Sequence, residues 1–401
     1  MHQITTPEFC SNPHCRYHQP AIAAEAKGRW YHRSGSFYTA CRGQIQRFRC
    51  RNCRKSFSTQ TFSIHYWTHS TENLERLRED LDSTSGLRQI ARRWNTTYRV
   101  VQNRISRLSH SALALMDAAT AQFTLGENLV IDGFESFVRS QYFPLNLNIA
   151  AGADSQFLYA VSLSPLRRKG RMSLMQRQRR AMIEAHWRPP RNSVRSGMQL
   201  VLQDLSAAVE RGCTDRRLVI YSDEHKSYPQ AIARISALSD LVQGGRLRHI
   251  TISSRAARTV RNRLFAVNYI DRQMRKNMGD HVRETVKQAR EANCLMQRMA
   301  LFAASHNFFT PHRVADHADW RADDTHATIA CLDQQPELKR ILSRFYTHRH
   351  LWAHLSQKPQ WIKRIWHHTH DNPPAIDFAT AELSAKPVAL PPGRIPAHMA
   401  A

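Results

Sequence analysis

The chain has 401 residues, 42% of them hydrophobic, which excludes disorder throughout and, at ~100–200 residues per domain, suggests two or three domains. With 58 Lys and Arg against 32 Asp and Glu, the formal net charge of +26 calls for a polyanionic partner, of which nucleic acid is the commonest. No run of ~18 apolar residues occurs and the opening MHQITTPEFC carries no apolar signal core, so a cytoplasmic location is expected rather than a membrane span or secretion.

Residues 1–69 read as short strands and loops around cysteines. Five of the eight cysteines fall within the first 53 residues, too few for a disulfide scaffold. Cys10-x4-Cys15 and Cys50-x2-Cys53 form two knuckles, and tetrahedral zinc takes four soft ligands from two such turns. The first pair is looser and the gap between the pairs is long, so His14, His18 and Cys41 stay open as replacements for one ligand. A region so rich in Arg and so poor in aliphatic residues does not fold easily without a metal.

Residues 70–120 read as helices. Within them GLRQIARRWNTTYRVVQNRISRL has the layout of a helix-turn-helix. Ala91 is small where the helices approach, Asn95 tolerates the left-handed turn, Thr96 or Thr97 caps the second helix, and Val101 packs it back. Its outer face then shows Arg99, Gln102, Asn103 and Arg107, side chains that reach base edges or phosphates. A plain three-helix bundle is the competing reading.

After Gly126 the pattern changes. NLVIDGFESFV, PLNLNIAAG and QFLYAVSLS are β-rich runs of an antiparallel meander, followed by a charged segment (165–195) and then by alternating helices and strands. The expected fold class of residues 126–315 is α/β, a mixed sheet with flanking helices. Residues 1–58, 165–195 and 246–290 concentrate the positive charge, and Arg167, Arg168, Lys169 and Arg171 of the middle stretch are expected on DNA phosphates. Two acids are out of place. Asp132 interrupts LVIDGF and Asp223 ends LVIYSD, where a carboxylate is costly unless it binds something, and a divalent metal is the usual reason.

At these residues the chain resembles the DDE transposases of bacterial insertion sequences, specifically those with a zinc ribbon, a helix-turn-helix and a ribonuclease-H-like catalytic core. The matching stretches are CRNCRKSFS with the following TFSIHYW, GLRQIARRW, VIDGFESFV, VIYSDEHKSY and NYIDRQMRKNMGDHVRET, over roughly residues 8–315. The resemblance implies that Asp132 and Asp223 are the first two catalytic carboxylates. It places Asp271 third, in Asn268-Tyr269-Ile270-Asp271-Arg272, where the family usually has Glu. It further implies two catalytic Mg²⁺ ions on these acids, a structural Zn²⁺ on Cys10, Cys15, Cys50 and Cys53, and double-stranded DNA as partner, both element ends and target. A homo-oligomer on DNA is expected, in the bacterial cytoplasm and associated with the nucleoid. Arg272, Arg275 and Lys276 are placed to hold the scissile phosphate, and the 165–195 segment reads as an insertion. The rival readings are a DNA-binding regulator with an inactive core and a metal nuclease without strand transfer.

Glu284 competes with Asp271. If Leu264 to Arg290 is one helix, the two lie about 20 Å apart and cannot share a metal pair. Its apolar stripe of Ile270, Met274, Met278, Val282 and Val286 turns Glu284 outward and leaves Asp271 near the helix start. HNFFTPHR reads as a packed turn. Residues 316–370 read as a helical C-terminal region whose histidines (THRHLWAHL, WHHTH) lie at the surface or an interface, and 371–401 as a disordered Pro/Ala-rich tail.

Overall fold

The computed structural model describes residues 6–12, 14–282, 285–313 and 324–349, and two short strands, Ile376–Asp377 and Val388–Ala389, which pair antiparallel. The expected tail and the WHHTH histidines otherwise lie outside the described residues. The chain divides into two units, one of residues 1–80, 87–118 and 334–362, the other of 81–86, 119–333 and 363–401.

The first unit is built on a three-stranded antiparallel sheet of β1 (Tyr31–Thr39), β2 (Gly43–Cys50) and β3 (Ser56–Ser58), in that order. Aliphatic residues are scarce here, so aromatic rings fill the core. Trp30 stacks on Phe57 at 5.9 Å, Phe48 meets Tyr31 edge-on at 5.3 Å, and Phe9 and Phe57 both contact Phe62. Rings bury large areas at few positions, which offsets the shortage. The short α1 (Pro20–Glu25) precedes the sheet; α2 (Leu74–Asp82), α3 (Leu87–Arg93) and α4 (Tyr98–Thr120) follow it. Buried Arg104 binds Glu72 and the Ser70 carbonyl (3.1 Å), tying α4 to the segment before α2. The late piece 334–349 also packs here: Arg340 and Arg344 bind Glu8, and Arg78 donates to the Tyr346 hydroxyl at 2.6 Å.

The second unit is the expected mixed α/β arrangement. The meander β4 (Leu129–Phe137), β5 (Pro144–Gly152) and β6 (Leu158–Pro165) pairs antiparallel, and β7 (Leu218–Ser222) and β8 (Leu247–Thr251) add parallel to β4, giving the order β6-β5-β4-β7-β8. The inserted helix α5 (Leu174–His186) comes after β6. The long α6 (Ser193–Asp215) leads to β7, α7 (Ser227–Ala233) and α8 (Ser236–Gln243) lead to β8, and α9 (Phe265–Asn277) and α10 (Ala292–Phe309) follow. All of β6 and nearly all of β5 are buried. α6 approaches the sheet at Gly197, where a Cβ would come 2.2 Å from Ser164 Oγ and 2.3 Å from Asn148 Nδ2. Those polar groups are satisfied in place, Ser162 Oγ donating to the Gly197 carbonyl at 2.8 Å and Asn148 to Ser162 and Ser164. The short α11 (His326–Ile329) belongs to this unit; α12 (Pro336–Ser343) belongs to the first.

One expectation needs correction. The stretch 264–290 is not one helix: α9 ends at Asn277, and Met278 is extended before the single turn Gly279–His281. Asn and Gly weaken the helix there, and beyond them Asp280 turns inward to a buried pair with Arg298 at 2.5 Å. Val282 and Val286 are therefore exposed instead of extending an apolar stripe. The charged stretch 165–195 contains the regular helix α5, which starts in a Ser173/Gln176 capping box and is anchored by buried Ile183.

Candidate functional site

Cys10, Cys15, Cys50 and Cys53 bring their sulfurs within 4.8 Å of one another, with Cys10–Cys53 at 3.5 Å and Cys15–Cys50 at 3.7 Å. A tetrahedron with Zn–S bonds of ~2.3 Å has edges of ~3.8 Å, so the four can hold a structural zinc. Local turns present them: Cys15 N–H bonds the Asn12 carbonyl, and Cys50 N–H bonds the Lys55 carbonyl as Arg54 takes a left-handed φ of 58°. Asn52 donates to Cys15 Sγ at 3.4 Å, an outer contact that orients the ligand. Burial pushes the Cys10 and Cys50 thiols up. Cys53 is also desolvated, but hydrogen bonds from Asn12, Lys55 and Cys10 outweigh that and bring it down to about 7. As thiolates at this spacing the four would repel one another, which suits them to a bound cation. The alternative ligands turn elsewhere: His18 Nδ1 donates to the Cys10 carbonyl (2.7 Å), Cys41 Sγ points to the Thr68 carbonyl, and His14 is exposed.

In the helical part, Asn95 adopts the expected left-handed φ (48°), Ala91 and Val101 are buried, and Thr97 Oγ1 accepts from Val100 N–H at the start of α4. Arg99 and Asn103 are exposed and Gln102 is half-buried. Arg107 is held within the unit, bonding Asn103 Oδ1 at 2.8 Å and the Ile64 carbonyl at 2.9 Å.

The acidic residues converge in the second unit. Val130 pairs with Tyr221 in the parallel β4–β7 ladder, so two residues further on Asp132 and Asp223 sit side by side at the ends of adjacent strands. α9 adds Asp271 from the same side, since Arg275, one turn on, lies over the Phe134 ring of β4 at 4.9 Å. The three carboxylates act on one another. Burial raises Asp132 to about 6 and Asp223 adds to the shift; burial raises Asp271 to about 7 and Asp132 adds to it. Asp132 Oδ1 accepts from Gly133 N–H (2.7 Å) and the Tyr228 hydroxyl (3.3 Å), Asp223 Oδ1 accepts from His225 N–H (2.9 Å), and buried Asp271 Oδ1 has no hydrogen-bond partner. Hard oxygen donors, mutual repulsion and an orphaned buried oxygen fit a divalent cation such as Mg²⁺. Among the described residues only the cysteine set draws all its donor atoms within 4.8 Å, so the carboxylates are spread more widely. Glu284 lies outside the described residues.

Two neighbours of the acids escaped the sequence reading. Tyr228, at the start of α7, is buried; desolvation and all three carboxylates push its phenol up, so it stays a donor. Arg258, on the arginine-rich link between β8 and α9, lowers both Asp132 and Asp271 by its charge. Tyr228 lies only five residues after Asp223, which was a signal; nothing local distinguished Arg258 from its neighbours. Of the other expected phosphate contacts, Arg272 and Arg275 are exposed beside the site. Arg167 forms a two-pronged pair with Glu184 (2.7 and 2.9 Å) and Arg168 donates to Gln141, whereas Lys169 and Arg171 are exposed.

Neither a comparison with protein-family models nor one with curated proteins finds a match to this chain. No helix among the described residues is long and apolar enough to cross a membrane.

Proposed function

We propose that this protein is a DDE-type transposase, which binds the ends of an insertion sequence and carries out DNA cleavage and strand transfer. The observation that carries the reading is the convergence of Asp132, Asp223 and Asp271 from two adjacent strands and one helix. A sheet of three antiparallel strands extended by two parallel ones, with helices around it, supports a ribonuclease-H-like core. The motifs that resemble the family fall on these same three acids.

Asp132, Asp223 and Asp271 would hold the magnesium. When bound, a pair of Mg²⁺ ions supplies activation of the attacking oxygen and stabilisation of the leaving one. Tyr228 fixes the Asp132 carboxylate by its hydrogen bond. Arg258, Arg272 and Arg275 supply positive charge for the phosphate of the scissile strand. The exposed Arg99 and Asn103 face of α4 reads the element end, and the zinc-bound knuckles hold the first unit in shape. Two copies are expected on DNA, because two ends must be joined.

The test is incubation of the zinc-loaded protein with Mg²⁺, end-sequence DNA and a target plasmid. Covalently joined end and target strands support the reading. Cleavage without joining makes the protein a nuclease, and binding without cleavage makes it a regulator with an inactive core.

A further inference from the structure

The end of the β1–β2 hairpin presents two large aromatic rings to solvent. Tyr38 is 76% exposed and Trp67 79%, the two most exposed aromatic rings among the described residues. Side-chain bonds bring them to the same end of the hairpin. Arg42, in the turn joining β1 to β2, donates to the His65 carbonyl and to Thr68 Oγ1 at 2.9 Å each, and Cys41 Sγ reaches the Thr68 carbonyl at 3.6 Å. The segment carrying Trp67 is thus bolted to the turn that Tyr38 precedes. Trp67 is held there at a φ of 55°, a left-handed backbone that bulky side chains rarely take. Its ring meets Tyr66 edge-on at 6.0 Å and otherwise stands in solvent.

The charge around these rings is of one sign. Residues 26–71 contain nine Lys and Arg and no Asp or Glu. Arg33, Arg47, Arg49, Arg51 and Arg54 are exposed. Arg47 lies over the Phe37 ring at 4.7 Å, which fixes its guanidinium beside the hairpin. Exposed rings among fixed cations suit a strand whose phosphates meet the arginines while its bases stack on the rings. A closed duplex offers only base edges in its grooves, so the match is to unpaired bases.

We propose that the hairpin end, through Trp67 and Tyr38, is a stacking platform for unpaired bases of DNA. It takes from the transposase reading only that the nucleic acid is DNA, and it assigns this surface to strands that have frayed or been cut open. Stacking needs neither magnesium nor cleavage, so the two readings fail separately.

The experiment measures binding of the full-length, zinc-loaded protein to a fluorescein-labelled 15-nucleotide single strand, to an abasic strand of the same length and to a duplex, in magnesium-free buffer. The wild type should prefer the base-bearing strand to the abasic one. Trp67→Gly should weaken the base-bearing strand about tenfold, with abasic binding and the salt dependence unchanged. Because glycine suits the left-handed φ, the same variant should melt no lower than the wild type. Trp67→Phe should keep most of the affinity, and Tyr38→Ala should lose part of it. Equal wild-type affinity for the two single strands would overturn the proposal. So would a Trp67→Gly variant that loses both strands alike, or one that melts markedly lower, which would make Trp67 a packing residue.

Discussion

In the N-terminal unit the cysteine sulfurs lie as close as 3.5 and 3.7 Å inside a shell of aromatic rings, on a sheet whose first strand is exposed over most of its length. In the second unit the three acids stand at one edge of a framework whose central strands are almost wholly buried. Both sets of ligands repel one another, but the repulsion has different consequences. Remove the cation from the cysteines and little else fixes the turns that carry them. Remove it from the carboxylates and the sheet remains, while Asp132 and Asp271 resolve the conflict by taking up protons. A zinc held by the cysteines would be part of a fold; a magnesium held by the carboxylates would be a property of a finished fold.

The harshest way to break this comparison is Cys50→Ala with Cys53→Ala. Binding of structural zinc is worth on the order of 10 kcal/mol to a small domain, so the first unit should lose its structure and specific DNA binding. The melting transition of the sheet unit should stay where it is, as read by calorimetry; a shared collapse would mean that the units are not independent. Next, Asp271→Asn should lower strand cleavage by on the order of 10³-fold, by loss of electrostatic stabilisation at the reacting phosphate. The same change should raise the melting temperature of the metal-free protein at pH 8, because a carboxylate that resists ionisation has been removed. A destabilised variant would show that Asp271 is structural.

The third prediction is a pH dependence. Asp132 and Asp271 have folded-state values raised to about 6 and 7, so the folded state keeps protons that the unfolded chain has lost. Their stabilising effect is full below the ordinary carboxylate range and disappears as the pH rises through 6 to 7. Metal-free wild type should therefore lose more stability between pH 5 and pH 8 than Asp271→Asn does, and Mg²⁺ should reduce that difference. An identical slope with and without Mg²⁺ would separate these acids from any metal. The smallest effect belongs to the turn between α3 and α4. Asn95→Ala at a φ of 48° should cost about 1 kcal/mol in a urea titration, and Asn95→Gly close to nothing.

What the sequence made legible was local. Alternation gave the strands of the meander, Asn95 marked a turn that uses its tolerance of positive φ, and the buried carboxylate in LVIDGF stood out because its neighbours in the strand are apolar. What stayed hidden depended on distant partners. Glu8 meets Arg340 and Arg344, more than 300 residues away, and no periodicity encodes such a pairing. Arg167 pairs with Glu184 of α5 and Arg107 reaches the Ile64 carbonyl, partners that the local sequence does not announce. α9 ends where Asp280 finds Arg298, a partner that lies on another helix. A charged side chain declares its type in the sequence and its occupation only in the fold.

The turn between β5 and β6 carries its own consequence. Three consecutive carbonyls, of Asp154, Ser155 and Gln156, each accept a hydrogen bond from a histidine: His312, His326 and His306 at 3.1, 2.7 and 3.0 Å. Glu127 takes the Asp154 and Ser155 amides from the other side. Burial lowers His306 to about 4 and His326 to about 2, so acid unties this knot as alkali strains the carboxylates. The histidine contribution is whole above their ordinary value and drains away as the pH falls. Two opposed titrations, built from different elements of one sheet unit, thus act on the metal-free protein, and a bound cation at the acids would ease the alkaline one only.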